Sequence, residues 1–97
     1  MRIQLCVLLW ARPGQADAMA AYEDTVLALL AEHDGRLLQR ARTLPGGPED
    51  APDETQLIEF AGMAGYHGFL ADPRRAALSA QRDVTVARTD LYPVTVL

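Results

Sequence analysis

The chain has 97 residues, enough for one domain and too few for two, with 49% apolar residues and a net charge of −4. Glu49, Asp50, Asp53 and Glu54 share one Pro/Gly-rich segment; setting them aside leaves nine acids against nine bases, so no basic stripe exists to neutralise phosphates and nucleic acid is not an expected partner. The longest wholly apolar run, Leu5 to Ala11, is far short of a membrane span, and the single cysteine, Cys6, permits neither an internal disulfide nor a cysteine-based metal site, which fits a reducing cytoplasm.

Residues 2 to 10 (RIQLCVLLW) place Ile3, Leu5, Val7 and Leu9 on one face of a strand and Gln4, Cys6, Leu8 and Trp10 on the other. Because neither face is clearly polar, both are expected to be covered, as in a central strand. Arg12, Pro13 and Gly14 make a turn, and a helix is expected from about Gln15 to His33. Tyr22, Val26, Leu29, Leu30 and His33 recur at spacings of three and four along it, and Gly35 is expected to take the left-handed position that ends it. Residues 36 to 44 read as a second strand, with Leu38, Arg40, Arg42 and Leu44 on one face and Leu37, Gln39, Ala41 and Thr43 on the other. Pro45 to Glu54, with three prolines and two glycines, reads as a mobile loop outside the core.

Thr55 to Ala61 is the third strand, with Ile58 and Phe60 on one face and Leu57 and Glu59 on the opposite one. Gly62 to Asp72 aligns Met63, Tyr66, Phe69 and Leu70 on a helical face, although Gly65 and Gly68 each cost about 1 kcal/mol against Ala, so a short, loosely held helix is expected. Asp72 followed by Pro73 forms an N-cap and N1 pair, starting a further helical segment to about Arg82. Asp83 to Thr89 is the fourth strand, and Pro93 confines any further pairing to a sheet edge. The order β-α-β-β-α-β is that of a ferredoxin-like α+β fold over the single domain 1–97: a four-stranded antiparallel sheet with helices on one face. Two helices cover one face only, so the doubly apolar first strand implies that the other is buried by a second copy of the chain.

YEDTVLALLAEHDGRLLQR at Tyr22 to Arg40, LIEF at Leu57 to Phe60 and YHGFLADPRRAALSAQRD at Tyr66 to Asp83 together resemble the dimeric α+β barrel superfamily. The likeness is nearest to small bacterial members of uncharacterised function related to antibiotic-biosynthesis-monooxygenase-like domains. Relatives usually carry His-Gly-Gly where this chain has His33, Asp34 and Gly35. The nine bases are all Arg and 16 residues are Ala, a usage that also suggests a GC-rich bacterial genome. The resemblance implies a homodimer paired through the sheet face. It also implies one of two functions: a cofactor-independent enzyme of the monooxygenase, cyclase or isomerase type acting on a small aromatic or polyketide-like molecule, or a non-catalytic small-molecule-binding or structural homodimer.

Among individual residues, Glu59 is the leading catalytic candidate, because parity sends it into the dimer barrel, where a carboxylate needs a partner and Arg40 or Arg42 is expected to supply it. Its alternatives are a structural ion pair and a general base. His33 is the second catalytic candidate, as a pocket group or as a C-terminal helix cap. Tyr22 and Trp10, with Arg40 and Arg42, are the ligand-binding candidates, the aromatic pair lining an apolar pocket. His67 is expected to be exposed, and with His33 it lacks the spacing of a metal site, so no metal is expected. No phosphate-binding glycine loop, nucleophile elbow or cysteine pair is present. A pocket of at least ~300 Å³ walled by Glu59 or His33 would favour the enzyme, and a filled barrel the structural dimer.

Overall fold

The alternation of Ile3, Leu5, Val7 and Leu9 is realised in the first strand of the computed structural model, which describes residues 1–97. The elements are β1 (Ile3–Ala11), α1 (Ala16–Leu27), a 3₁₀ turn (Leu30–His33), β2 (Gly35–Arg42), β3 (Glu54–Phe60), α2 (Met63–Leu70), α3 (Pro73–Ala76), α4 (Ser79–Thr85) and β4 (Val86–Val94). The strands form one sheet in the order β2-β3-β1-β4, every neighbouring pair antiparallel. Pairing of Ile3 with Phe60 and of Leu5 with Ile58 puts these apolar strand side chains on one face, where they meet Met19, Tyr22, Val26, Leu30 and Phe69 around a single buried cluster. This is the expected ferredoxin-like arrangement, and the 16 Å short dimension of the chain is that of one sheet and one helical layer.

The other face of the sheet carries Gln4, Cys6, Leu8 and Trp10 beside Leu57 and Glu59, and no element of the chain covers it. Leu8, Trp10 and Leu57 are only half-buried there, and Tyr92 is 44% exposed. Both edge strands depart from regularity. β2 shifts register between Leu37 and Gln39, so that Leu37 opposes Ile58 while Arg40 opposes Gln56. A bulge of one residue reverses the side-chain alternation beyond it. β4 holds Pro93 opposite Leu5, tolerable because an edge strand does not need every N–H for the ladder.

Several boundaries differ from expectation. The first helix stops at Leu27, where i→i+3 bonding takes over: the amide of Leu29 donates to Val26 and that of Glu32 to Leu29. Asp34, not Gly35, adopts the left-handed conformation, at φ 55°. Asp tolerates that region better than most side chains. Gly35 is small for another reason: a Cβ there would lie 2.8 Å from Cε1 of Phe60 and 3.1 Å from the carbonyl oxygen of Leu30. The fourth strand begins at Val86, because α4 continues through Thr85, whose hydroxyl donates to the carbonyl of Gln81 at 2.9 Å.

The 45–54 segment is anchored rather than mobile along its second half. Trp10 Nε1 donates to the carbonyl of Asp50 at 2.9 Å, the Ala11 amide donates to Asp53 Oδ2 at 2.7 Å, and the Asp53 amide donates to Leu9 at 2.8 Å. The Asp53 carboxylate, together with the backbone of Asp50 and Asp53, therefore docks the loop on β1. The glycines of α2 have a comparable purpose. A Cβ at Gly65 would stand 2.2 Å from the His33 carbonyl oxygen, and one at Gly68 would stand 3.0 Å from His33 Nδ1. Their helix-propensity cost permits close packing of α2 on the 3₁₀ turn, so the helix is tightly held.

Candidate functional site

Helix-facing parity along β3 carries Phe60 and Ile58 into the core and, two and four residues back, Gln56 and Glu54 as well. On α1, Glu23 follows Met19 by four residues and so shares its buried stripe. These three polar side chains meet under the helices. Gln56, 2% exposed, donates from Nε2 to Glu23 Oε1 at 2.7 Å and to Glu54 Oε2 at 2.7 Å. Glu54 is neutralised by Arg40, whose Nε and Nη2 lie 2.7 and 3.2 Å from its two oxygens, and Arg40 also reaches Asp24 and the Ala20 carbonyl. Glu23, 6% exposed, receives only the amide. Burial, aided by the nearby charge of Glu54, pushes its carboxyl above the ordinary value, against the opposing hydrogen bond from Gln56.

Glu23 forms part of the wall of a partly open pocket of about 80 Å³ between the sheet and the helices. Val7, Leu9, Val26, Ile58 and Phe69 make its apolar lining, and Tyr22, Gln56, Arg75 and Arg82 contribute polar groups. Burial, with the charge of Glu23, raises the Tyr22 phenol above its usual value. The guanidinium of Arg75 lies 5.4 Å from the centre of the Phe69 ring. Its Nε is buried without any hydrogen-bond partner, the only such side-chain atom in the chain. An acid that burial keeps from ionising easily, beside a phenol and an unpaired guanidinium in an apolar cleft, is an arrangement able to bind a small polar-headed molecule and exchange a proton with it.

Of the residues singled out from the sequence, Tyr22 alone lines this pocket. Glu59 lies on the uncovered sheet face, as parity requires, and is 5% exposed. Its partner, however, is neither Arg40 nor Arg42. Arg36 Nε donates to Glu59 Oε2 at 2.7 Å, Gln4 Nε2 to Oε1 at 3.0 Å, and Arg2 stands at 3.7 Å. The β2 bulge is the reason: it leaves Arg36 on the face of Glu59 and turns Arg40 and Arg42 toward the helices, where Arg42 pairs with Asp17 at 2.8 Å. Arg36, followed by Gln4, lowers the Glu59 carboxyl below its ordinary value, the opposite of what a base tuned toward neutrality requires.

His33 packs within the helical layer, 6.2 Å from Phe69 between ring centres, with Nε2 2.7 Å from Asp72 Oδ2. Asp72 is the N-cap of α3, accepting from the Arg74 amide at 2.8 Å and from Arg74 Nη2 at 2.7 Å. Arg74, then His33, holds this carboxyl well below the usual range. His33 thus joins two helical segments and meets neither Glu59 nor the pocket. Trp10 is on the uncovered face, under the guanidinium of Arg88 at 4.4 Å. His67 is exposed, and no group of three or more His, Cys, Asp or Glu side chains converges as metal ligands. The acid and amide of the pocket were detectable only as polar residues falling at core spacing, Glu23 four beyond Met19 and Gln56 two before Ile58.

No family model and no curated protein matches the chain's sequence. Solved structures do match over nearly its full length. A protein of unknown function from Rhodopseudomonas palustris superposes with a TM-score of 0.78 at 20% identity, covering 99% of this chain and 82% of that one. A dimeric protein of unknown function and ferredoxin-like fold from Bacteroides fragilis gives 0.72 at 14% identity, over 96% of this chain and 94% of that one. A putative antibiotic biosynthesis monooxygenase from Bacteroides thetaiotaomicron gives 0.71 at 17%, over 99% and 90%. At such identities the likeness speaks for architecture alone: the chain has the ferredoxin-like fold on which the dimeric α+β barrels are built.

Proposed function

We propose that the protein is a homodimer joined through the uncovered sheet face, and a cofactor-independent enzyme of the isomerase or cyclase type acting on a small aromatic or polyketide-like molecule. The pocket under α1 and α2 is its site, and Glu23 is the group that moves the proton. The carboxylate takes a proton from an acidic carbon or hydroxyl of the substrate and returns it at another position, so the protein ends unchanged and no oxidant is consumed. The observation that carries this reading is the Glu23 carboxyl: 6% exposed, raised by burial, and held by Gln56 at 2.7 Å on the wall of an apolar cleft. Half-buried Leu8, Trp10 and Leu57 support pairing of the faces, as does the dimeric Bacteroides fragilis protein of the same fold. The lone buried Cys6 supports a reducing, cytoplasmic setting.

In this reading Glu59 is structural, its charge matched by Arg36 and Arg2 near the dimer seam, and His33 ties the helical layer together. A purely binding or structural dimer is favoured by one observation, the pocket volume of about 80 Å³, small beside the ~300 Å³ and more of typical ligand sites. Exchange of substrate C–H for deuterium separates the two. Incubation of the protein in deuterium oxide with a panel of phenols and β-dicarbonyl compounds, followed by proton NMR, should show catalysed exchange that falls at least ~10²-fold in Glu23→Gln. Binding without exchange by the wild type would leave the non-catalytic dimer as the function.

A further inference from the structure

Nine arginines are the only basic residues of the chain other than its two histidines, and most are tied down. Arg2 and Arg36 face Glu59, Arg40 holds Glu54, Arg42 meets Asp17, Arg74 binds Asp72 and Arg88 pairs with Asp90. Arg12 donates to the carbonyl of Asp83 at 2.6 Å. Arg75 and Arg82 alone have neither a carboxylate nor a backbone oxygen as partner, and both line the pocket. The only other charged side chain on the pocket wall is Glu23, so two guanidiniums face one carboxylate that burial already inclines to hold its proton. A planar guanidinium with a buried, unpaired Nε is a fork made for two oxygens, and its desolvation is uncompensated until they arrive.

We infer that the pocket is an anion site, and that its ligand is a small monocarboxylate whose head is bound by Arg75, with Arg82 at the pocket wall, while a short apolar body or single ring lies against Val7, Leu9 and Ile58. This rests on the pocket being the ligand site and adds the charge class of what it takes. The dimensions set the size: an engineered cavity of about 150 Å³ suffices for benzene, so a space of about 80 Å³ that is open on one side takes a branched short chain, or a ring projecting partly through the mouth. The stack of Arg75 on Phe69 keeps the guanidinium plane in place without using its donors.

The test compares acid and amide of equal shape: 3-methylbutanoate against 3-methylbutanamide, and benzoate against benzamide. Each is titrated into the 97-residue chain and followed by amide NMR shifts at pH 7. The expected result is binding of at least one acid ~10-fold or more tighter than its amide. Arg75→Gln should abolish that preference while leaving the amide's affinity within about twofold, and Arg82→Gln should reduce it by a smaller factor. Both variants are to be checked for unchanged chemical shifts in the sheet. Equal binding of acid and amide by the wild type, or an acid preference that survives Arg75→Gln, overturns the anion site while leaving the pocket as a ligand site. Binding of none of the four overturns both.

Discussion

Helix propensity says that replacing either glycine of α2 by alanine should stabilise the protein by about 1 kcal/mol, and the packing of α2 against the 3₁₀ turn says that the two substitutions must diverge. At Gly65 the new Cβ would sit 2.2 Å from the His33 carbonyl oxygen, whereas an ordinary carbon–oxygen contact is about 3.3 Å or longer, so helix and turn must separate by about 1 Å. One partner is a backbone carbonyl and the other a Cβ whose position the backbone fixes, so neither can rotate away. The overpacking cost therefore lies near the top of the usual ~1–3 kcal/mol, and after the propensity gain Gly65→Ala should be net destabilising by about 2 kcal/mol. For a domain of this size that lowers Tm by roughly 8–16 °C. At Gly68 the neighbour is the His33 ring, 3.0 Å from the added carbon. A ring can tilt, so cost and gain should nearly cancel, and Tm should stay within roughly 3 °C of the wild type. Thermal unfolding followed by circular dichroism at pH 7 measures both. A Gly65→Ala protein as stable as Gly68→Ala would refute the close approach on which this reasoning depends.

Other perturbations follow from the polar groups. Because burial raises Glu23 above its unfolded value, the folded state holds its proton longer than the unfolded one, and stability is lost as pH rises from about 4.5 through the folded value. Glu23→Gln should thus raise Tm at pH 7 by a few degrees and flatten its pH dependence above pH 4.5, seen in melts between pH 4 and 8. Asp72 has the opposite sign: held low by Arg74 and His33, it contributes stability above the unfolded carboxylate value near ~4 and loses it as pH falls toward the folded value. Asp72→Asn should be less stable than wild type at pH 7, and the gap in urea midpoint should narrow steadily as pH is lowered below about 4. In the loop, Asp53→Ala removes the 2.7 Å bond from the Ala11 amide and should cost about 1–2 kcal/mol in urea unfolding. Deleting residues 45 to 47, which make none of the anchoring bonds, should cost under about 0.5 kcal/mol. On the uncovered face, the proposed dimer should sediment as such at micromolar concentration, Leu8→Asp should sediment as a monomer, and Glu59→Gln should weaken self-association about tenfold without touching the pocket.

Period and punctuation carried the architecture. Ile3 to Leu9, Ile58 with Phe60, and the Asp72–Pro73 start all stand where alternation and capping chemistry put them. Parity also placed Glu59 on the correct face. It failed for its partner, because a bulge is a single unpaired residue in β2 with no sequence mark: neither Leu37, Leu38 nor Gln39 is a glycine or proline. The two α2 glycines read as weakness since their neighbour, His33, by its carbonyl at Gly65 and its ring at Gly68, is 32 residues or more distant along the chain. The pocket acid was hidden for a similar reason. Glu23 lies on a helix that also carries exposed acids, and only the tertiary meeting with Gln56 shows that this one is buried.

The pocket's groups are unequal in how freely they can change. Glu23, Gln56, Glu54 and Arg40 form a continuous chain of bonds, so an apolar replacement of any one strands a buried charge or amide on the next. Arg75 and Arg82 sit on the short helical segments between α2 and β4, and neither side chain holds a carboxylate or a backbone oxygen, Arg75 being packed only on the Phe69 ring. Under the proposed anion site, descendants of this chain can therefore exchange those two positions, and with them the charge of the ligand proposed for the pocket, while the acid and its support stay fixed. Sequence change in this lineage should therefore run faster at the pocket positions between Pro73 and Thr85 than at those of α1 and β3.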